Sequence, residues 1–388
     1  MNLGENRGAV RPAEGLVDDA TKVLAAEAPG ILAGRKGLSS GTLVEFQGGH
    51  ARGMFYLAPL FRRSLAVTDS ALTFEAAQAL SCSAPMLAAE TILTPFPPDK
   101  DLLATIGASA ATVNLLFVKG KERFPDLAQA AWYALTPEGL FLAVGHKTHA
   151  VSSIARAMEE VFGNVTKAAY GKGCSVYLSI KGRGPAPAPP SANPREPAAI
   201  AQESSLKLGV SPWVFASGQV DGGTRFLLEH SPSLTATSGR PSPSGAICDL
   251  GCGSGILGMV AAKLFGDSRV YLVDSSCSAV ALAARNLAAN DIRNAVAGVT
   301  SGLAFFPDRS LDLILCNPPF HQEHQADHAT AESFMAGARR VLRPGGTLEI
   351  VANRFLSYER PLRAVFGDNA GLIAQDNSFK LLVARQPA

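Results

Sequence analysis

The chain is expected to fold as two tandem α/β domains, each a doubly wound, mostly parallel sheet, and three observations carry that expectation. Strand and helix patterns alternate: after the apolar run 246–250 come a glycine turn, the helix pattern "ILGMVAAKLF", the strand "RVYLVD" (269–274) and the helix pattern "SAVALAARNLAAND" (278–291). The two halves also echo each other. "ALTPEGLFLAVGHK" (134–147) parallels "VLRPGGTLEIVANR" (341–354), and "VFGN" (161–164) parallels "VFGD" (365–368). "TLVEFQGGHARG" (42–53) precedes "SLAVTD" (64–69) as "AICDLGCGSGILG" (246–258) precedes "RVYLVD". An internal duplication accounts for that shared order. Finally, "GRGPAPAPPSANPREPAAI" (182–200) carries prolines at 185, 187, 189, 190, 194 and 197, which disfavour helix and sheet interior and read as a stiff, extended connector. The expected boundaries are therefore 15–181, a Pro/Ala-rich linker at 182–200, and 201–388, with the polar first dozen residues frayed.

Bulk properties agree with two folded domains. With 388 residues, 47% hydrophobic and 18% charged, the chain can bury sizeable cores and does not read as disordered. A net charge of +2 announces no general polyanion binding, so a nucleic-acid surface would have to be local. Arg62-Arg63, Lys119/Lys121/Arg123 and Arg339-Arg340-Arg343 are such clusters, each equally readable as solvated helix ends. Six cysteines, at 82, 174, 248, 252, 277 and 316, form no CxxC pair and lie mostly in apolar runs, as small core residues of a reducing compartment do. No apolar stretch approaches the roughly 20 residues of a membrane span and no basic-then-apolar leader opens the chain, so a soluble cytoplasmic protein is expected.

Two stretches carry chemistry. Asp249-Leu250-Gly251-Cys252-Gly253-Ser254-Gly255 follows a short strand and opens a helix. Glycines there permit a tight turn and close backbone approach to a ligand. The carboxylate two residues before the first glycine would repel a pyrophosphate but attract a cationic amino acid. Asp274, at the end of the next strand, is placed to accept hydrogen bonds from ribose hydroxyls. A plain helix-start turn with incidental acids is the alternative. The second stretch, "LDLILCNPPF" (311–320), ends a buried strand on Asn317-Pro318-Pro319-Phe320. The Asn317 carboxamide oxygen and the Pro318 carbonyl can both accept from an exocyclic NH2, Pro319 helps hold the backbone extended, and Phe320 offers a face for a planar group. Such a tip suits methylation of a nitrogen conjugated to a flat ring or amide, with acceptors stabilising the charge that grows on the nitrogen.

D-x-G-x-G-x-G followed by the strand-end acid resembles motifs I and II of class I S-adenosylmethionine-dependent methyltransferases, and Asn-Pro-Pro-Phe resembles the signature of those acting on amino groups. Together with "VFASGQVDGGTRFLLEH", "CNPPFHQEH", "EIVANRFLSYERPL" and "VFGDNAGLIAQDNSFKLLVAR", these motifs make residues 213–385 similar to the bacterial ribosomal RNA guanine-N2 methyltransferases with duplicated methyltransferase domains. The resemblance implies two Rossmann-like class I methyltransferase domains. The C-terminal copy would be catalytic, and the degenerate N-terminal copy would bind RNA and stabilise the enzyme. It implies S-adenosyl-L-methionine as cofactor, held by Asp249, Gly251, Gly253, Gly255, Asp274, Ser275 and Ser301. It further implies catalysis at Asn317, Pro318, Pro319 and Phe320, substrate contact by Phe320 and His321, and ribosomal RNA or a ribosomal subunit as partner. "NPPFHQ" and "VANRFLSY" look more like the large-subunit (23S) branch than the small-subunit (16S) branch.

One departure stands out. Where the family has F-S-R-x-G-L-D, this chain reads Phe215-Ala216-Ser217-Gly218-Gln219-Val220-Asp221, keeping Asp221 and Gly223 but not the Arg. In the first half, "LLFVKGKERF" (115–124) is aligned with the Asn-Pro-Pro-Phe tip, so Lys119 and Lys121 replace the acceptors with charge suited to phosphate. Glu45, Gly48 and Gly49 are expected remnants of a cofactor turn.

"HQEHQADH" (321–328) has histidine spacing compatible with zinc, but methyl transfer to an amine needs no Lewis acid, and no metal is expected. A monomer is assumed. The alternatives are an amino-group methyltransferase for protein glutamine or DNA adenine, a non-catalytic RNA-binding scaffold, and, disfavoured by the tip, a nicotinamide oxidoreductase.

Overall fold

The computed structural model describes residues 18–33, 40–46, 57–72, 74–75, 89–116, 118, 120–188, 195–199, 206–215, 220–235, 245–318 and 334–387. The chain divides into two compact units, Met1–Ala192 and Asn193–Ala388.

The first unit contains β1 (Thr42–Phe46), β2 (Arg63–Thr68), β3 (Ala89–Leu93), β4 (Ala108–Asn114), β5 (Leu135–His146), β6 (Thr166–Gly171) and β7 (Cys174–Ile180). They form one sheet in the order β3-β2-β1-β4-β5-β7-β6. Only the pairings of β7, with β5 and with β6, are antiparallel.

The second unit begins with a two-stranded ribbon of β8 (Arg195–Ala199) and β9 (Lys207–Val210). Then follow β10 (Ala246–Leu250), β11 (Arg269–Asp274), β12 (Ala295–Val299), β13 (Leu311–Cys316), β14 (Leu342–Asn353), β15 (Ala370–Gln375) and β16 (Phe379–Arg385). Their order, β12-β11-β10-β13-β14-β16-β15, repeats that of the first unit, with β16 the antiparallel strand. Both units are thus α/β and Rossmann-like. The chain order reverses between β10 and β13, the place where doubly wound sheets bind ligands at their carboxyl ends.

Alternation along the strands builds two core layers. Cys248, Leu250, Ile314, Cys316, Leu348 and Ile350 pack on one face of the second sheet. Ile247, Leu313, Leu315, Val351 and Leu381 pack on the other, against Met259 and Ala261 of the helix Ile256–Leu264. Cys174, Cys248, Cys252, Cys277 and Cys316 are buried. Among the described residues no helix is long and apolar enough to cross a membrane.

The repeated segments coincide in space as well as in sequence. Gly163 and Gly367, from "VFGN" and "VFGD", both end a helix at positive φ, of +67° and +64°. Glu138 and Gly345 likewise share a positive φ, of 65° and 79°, near the start of β5 and β14, where both strands are irregular.

Two readings of the sequence change. The connector stays extended at Arg195–Ala199 but is not free there, because that stretch pairs with β9. The register shifts between Arg195 and Ala198, so Pro197 sits at an irregularity of a two-stranded edge, where its missing N–H is tolerated. The second concerns Asp69. Thr42 pairs with Arg63 as Ala246 pairs with Arg269, so Thr68 occupies the place of Asp274 and Asp69 stands one residue beyond it.

The helix that follows the glycine turn lies close against the sheet. A Cβ on Gly255, which has φ of +87°, would stand 2.7 Å from Leu272 Cδ2 and 3.1 Å from Ala283 Cβ. Gly255→Ala therefore combines backbone strain with overpacking and is expected to cost about 2–4 kcal/mol of unfolding free energy in urea; a change below about 0.5 kcal/mol would show that the turn relaxes freely.

Candidate active site

Parallel pairing sets Leu250, the last residue of β10, beside Val273 of β11 and Cys316 of β13. The glycine turn and the Asn317 tip consequently emerge side by side. The Gly251 and Cys252 N–H groups donate to the Val273 carbonyl at 2.8 and 3.0 Å. Gly251 and Gly253 have φ of +73° and +54°, which only glycine adopts without strain. A Cβ on Gly253 would meet nothing within 4 Å, so open space borders the turn there.

Asp274 closes the turn. Its Oδ2 accepts from Gly253 N at 2.9 Å and its Oδ1 from Ser276 N at 2.8 Å, with half-buried Ser275 between. The Asp274 carbonyl accepts from Thr300 N at 2.9 Å, which brings half-buried Ser301 to the same strand ends.

Beneath the turn, Asp249 is 1% exposed, and its Oδ2 accepts from Gly258 N at 2.7 Å. Burial above all, opposed by the Gly258 hydrogen bond and reinforced by the Asp274 charge, lifts its carboxyl from 3.8 to about 7. Burial also drives the neighbouring Cys248 and Cys252 thiols well above their usual range, so neither is a thiolate nucleophile.

At the tip, Asn317 Nδ2 lies 3.1 and 3.2 Å from the Asp221 carboxylate oxygens and 3.0 Å from Thr224 Oγ1. Asp221 caps the helix Gly222–His230, accepting from Gly223 N at 2.9 Å and Thr224 N at 3.2 Å. Thr224 Oγ1 donates to the same carboxylate, leaving its lone pairs to Asn317. A carboxylate only accepts, so the carboxamide must turn its NH2 inward. Asn317 Oδ1 is then buried and receives no hydrogen bond from any described residue. Pro318, also buried, follows it, while Pro319, Phe320, His321 and the "HQEHQADH" cluster lie outside the described residues. No group of metal-ligating side chains occurs among the described residues.

The first unit holds a copy of this lock. Asn114, at the end of β4, places Nδ2 3.2 Å from Asp18 Oδ1 and 3.0 Å from Thr21 Oγ1. Asp18 caps the helix Asp19–Leu32 as Asp221 caps its own. In both units the Asp precedes the Asn by 96 residues. The Asn-Pro-Pro-Phe tip thus corresponds to Asn114-Leu115-Leu116-Phe117, not to the lysines. Lys121 is exposed in the short turn Lys121–Arg123, and Lys119, Gly48 and Gly49 lie outside the described residues. Glu45 is buried at the position of Asp249, 1% exposed.

The structure therefore gathers Asp249, Gly251, Gly253, Gly255, Asp274, Ser275, Ser301, Asn317 and Pro318 at the carboxyl ends of β10–β13. It leaves Lys121 in the other unit. It adds Asp221 and Thr224, which the sequence reading passed over as a site pair. The signal was present: D-x-x-T at 18–21 and again at 221–224, each the same distance before an Asn.

A carboxyl whose folded value exceeds its unfolded one withdraws stability as pH rises: nothing is lost below about 4, and the loss is complete above about 7 for Asp249. Asp249→Asn is therefore expected to raise the urea midpoint of the ligand-free protein at pH 8 by more than at pH 5. Equal shifts at both pH values would exclude a buried carboxyl that titrates on folding.

Residues 205–383 match the family described as "Methyltransferase small domain". "Ribosomal RNA large subunit methyltransferase G" of Streptomyces coelicolor is 42% identical over 172 residues, 44% of this chain and 44% of that protein, so the match spans under half of that relative's length. The protein of the same name from Klebsiella pneumoniae subsp. pneumoniae is 32% identical over 296 residues, 74% of this chain and 73% of that protein. Among solved structures, the T. thermophilus 16S rRNA N2 G1207 methyltransferase in complex with AdoMet and guanosine aligns with a TM-score of 0.78. That alignment is 22% identical and covers 96% of this chain and 93% of the other. With a shared fold and three quarters of its length matched at 32% identity, the chain belongs to the family of the ribosomal RNA large subunit methyltransferases G.

Proposed function

We propose that the protein is an S-adenosylmethionine-dependent methyltransferase that transfers a methyl group to the exocyclic N2 amine of a guanine in ribosomal RNA of the large subunit. One observation carries the reading: the Asn317 oxygen is buried without a donor among the described residues, since Asp221 and Thr224 take the other end of the carboxamide, and its strand ends beside an acid-flanked glycine turn. A buried polar atom is normally paired, and an exocyclic amine supplies the missing donor.

The residues present fit the cofactor. The open space at Gly253 and the two fixed oxygens of Asp274 suit an adenosine whose ribose hydroxyls donate to the carboxylate. Asp249, ionised above about pH 7, balances the positive charge of a sulfonium amino acid. Bound S-adenosylmethionine supplies a methyl group activated by the sulfonium. The chain's own groups do the rest. Asn317 Oδ1 and the Pro318 carbonyl accept the two N–H bonds of the amine and orient its nitrogen. As the nitrogen gains positive charge its N–H groups become stronger donors, so these acceptors bind the transition state more tightly than the ground state. The nitrogen gives up its proton after the methyl has transferred, so no strong base is needed at the tip.

The target guanine has to leave its stack to reach Asn317, at a cost of a few kcal/mol. The large-subunit assignment rests on the curated relatives at 32–42% identity. The same reading takes the enzyme as a cytoplasmic monomer whose first unit helps to hold RNA and keeps the fold stable. Its domains are taken as 15–181 and 201–388 with the connector 182–200 between them, whose end, Arg195–Ala199, pairs into the second unit.

With radiolabelled S-adenosylmethionine and unmodified large-subunit RNA, the wild-type chain is expected to form N2-methylguanosine. Asn317→Ala should lower kcat by about 100–1000-fold while cofactor affinity changes by less than about threefold. Label in N6-methyladenine or methylglutamine, or none in any ribosomal RNA, would overturn the assignment. Label confined to small-subunit RNA would move it to the other branch.

A further inference from the structure

Side chains hold the glycine turn at two consecutive residues. Asp274 takes the Gly253 N–H, and Asn286 Nδ2 donates to the Ser254 carbonyl at 2.8 Å. Asp274 ends β11, and Asn286, 2% exposed, lies in the helix Cys277–Ala289 that follows. The other end of the Asn286 carboxamide is also taken, because its Oδ1 accepts from Gly209 N of β9 at 2.8 Å. A backbone N–H only donates and a carbonyl only accepts, so these two partners fix which end of the amide faces which. One helical turn on, Asn290 Nδ2 donates to the Lys207 carbonyl at 2.7 Å, and its Oδ1 accepts from Lys207 N at 2.8 Å. Val214 packs on Ala279 and Leu282 near the start of the same helix. Residues 207–214 therefore run along this helix from its end towards its start, and β9 is the strand that pairs with the end of the connector, Arg195–Ala199.

Building on the cofactor reading above, we propose that Asn286 is a positioning residue of the cofactor site, and that the ribbon of β8 and β9 is thermodynamically linked to S-adenosylmethionine binding through it. Gly251, Gly253 and Gly255 all sit at positive φ, and glycine has the most conformational freedom to lose on ordering. A turn already held at Gly253 and Ser254 has less left to lose when a ligand settles on it, which raises affinity. Packing alone does not account for Asn286, since an apolar side chain could fill its place. Asn286 instead joins a backbone carbonyl of the turn to a backbone N–H of the ribbon, so turn and ribbon share one amide. When the ribbon lifts, Gly209 N leaves Oδ1 and the carboxamide is free to turn away from Ser254. When a ligand holds the turn, the same amide holds the ribbon, because linkage is reciprocal. Asn290 provides an internal comparison. It anchors the ribbon by two hydrogen bonds, and the partners of its side chain are Lys207, Asn286 and Met259 rather than the turn.

The test uses the full-length chain and S-adenosylmethionine itself. Hydrogen exchange at the Gly209 amide is followed in the wild type with and without saturating cofactor. Bound cofactor is expected to slow it at least about fivefold, whereas an unchanged rate, or equal slowing of every amide in the second unit, overturns the linkage. Asn286→Ala is expected to raise the Kd and KM for S-adenosylmethionine about tenfold and to lower kcat with large-subunit RNA less than about threefold. Asn290→Ala loosens the same ribbon but leaves Gly209 on Asn286, and should change the Kd less than about threefold. A wild-type Kd in Asn286→Ala, or an equal rise in both variants, would show a purely structural role and overturn the proposal. Should Asn286→Ala not fold, the exchange rates of the wild type decide alone. If the wild type binds no S-adenosylmethionine, the cofactor reading itself fails and the linkage with it. Binding that leaves Gly209 exchange untouched sinks the linkage alone.

Discussion

The Asp221 carboxylate is the fixed point of the second unit's site, and the orientation of the Asn317 carboxamide follows from it. Asp221 caps its own helix through two backbone N–H groups and accepts from Thr224 Oγ1, so it is held before Asn317 arrives. As an acceptor-only group it then dictates which end of the carboxamide faces it. The amide nitrogen is drawn to the carboxylate, and the oxygen at the other end of the carboxamide is left buried without a donor among the described residues. A capping interaction that stabilises a helix by about 1 kcal/mol thus also sets the polarity of the site.

That double use explains why the lock persists in both units. Asp18, Thr21 and Asn114 tie the first helix to β4 whether or not anything binds there. The lock therefore does not depend on a ligand being bound. Substituting Thr for the strand-end acid and Leu for the second proline leaves the caps, the strand order and the buried Glu45 in place.

Much of this architecture was legible in the sequence. Strand–helix alternation and the echoed segments disclosed two doubly wound sheets, and the glycine turn, Asp274 and Asn317 were visible as local motifs. The register of the duplication was not. Asp69 and Asp274 both end acidic-looking strands, and only the pairing of β1 with β2 puts Thr68, not Asp69, in the matching place. Lys119 and Lys121 were aligned with the tip for the same reason: Asn114 closes a plain strand with no prolines to mark it. Asp221 and Thr224 read locally as no more than a helix cap, because a contact across 96 residues leaves no local periodicity, and only the D-x-x-T repeat at 18–21 and 221–224 hinted at it.

Local residue choice, then, determined the elements and their order: which segments pair or coil, where glycine must bend the chain, and which side chains bear charge. These depend on steric and hydrogen-bonding preferences within a few residues. What tertiary structure alone decided was which of those groups meet, and which polar atom is left over when they do. The Asn317 oxygen is an acceptor in search of a donor only because a distant carboxylate has taken the other end of the same amide, and the Asn114 oxygen is not because its own backbone has taken it. Satisfaction of buried polar groups is a property of the whole packed unit, summed over partners far apart in the chain.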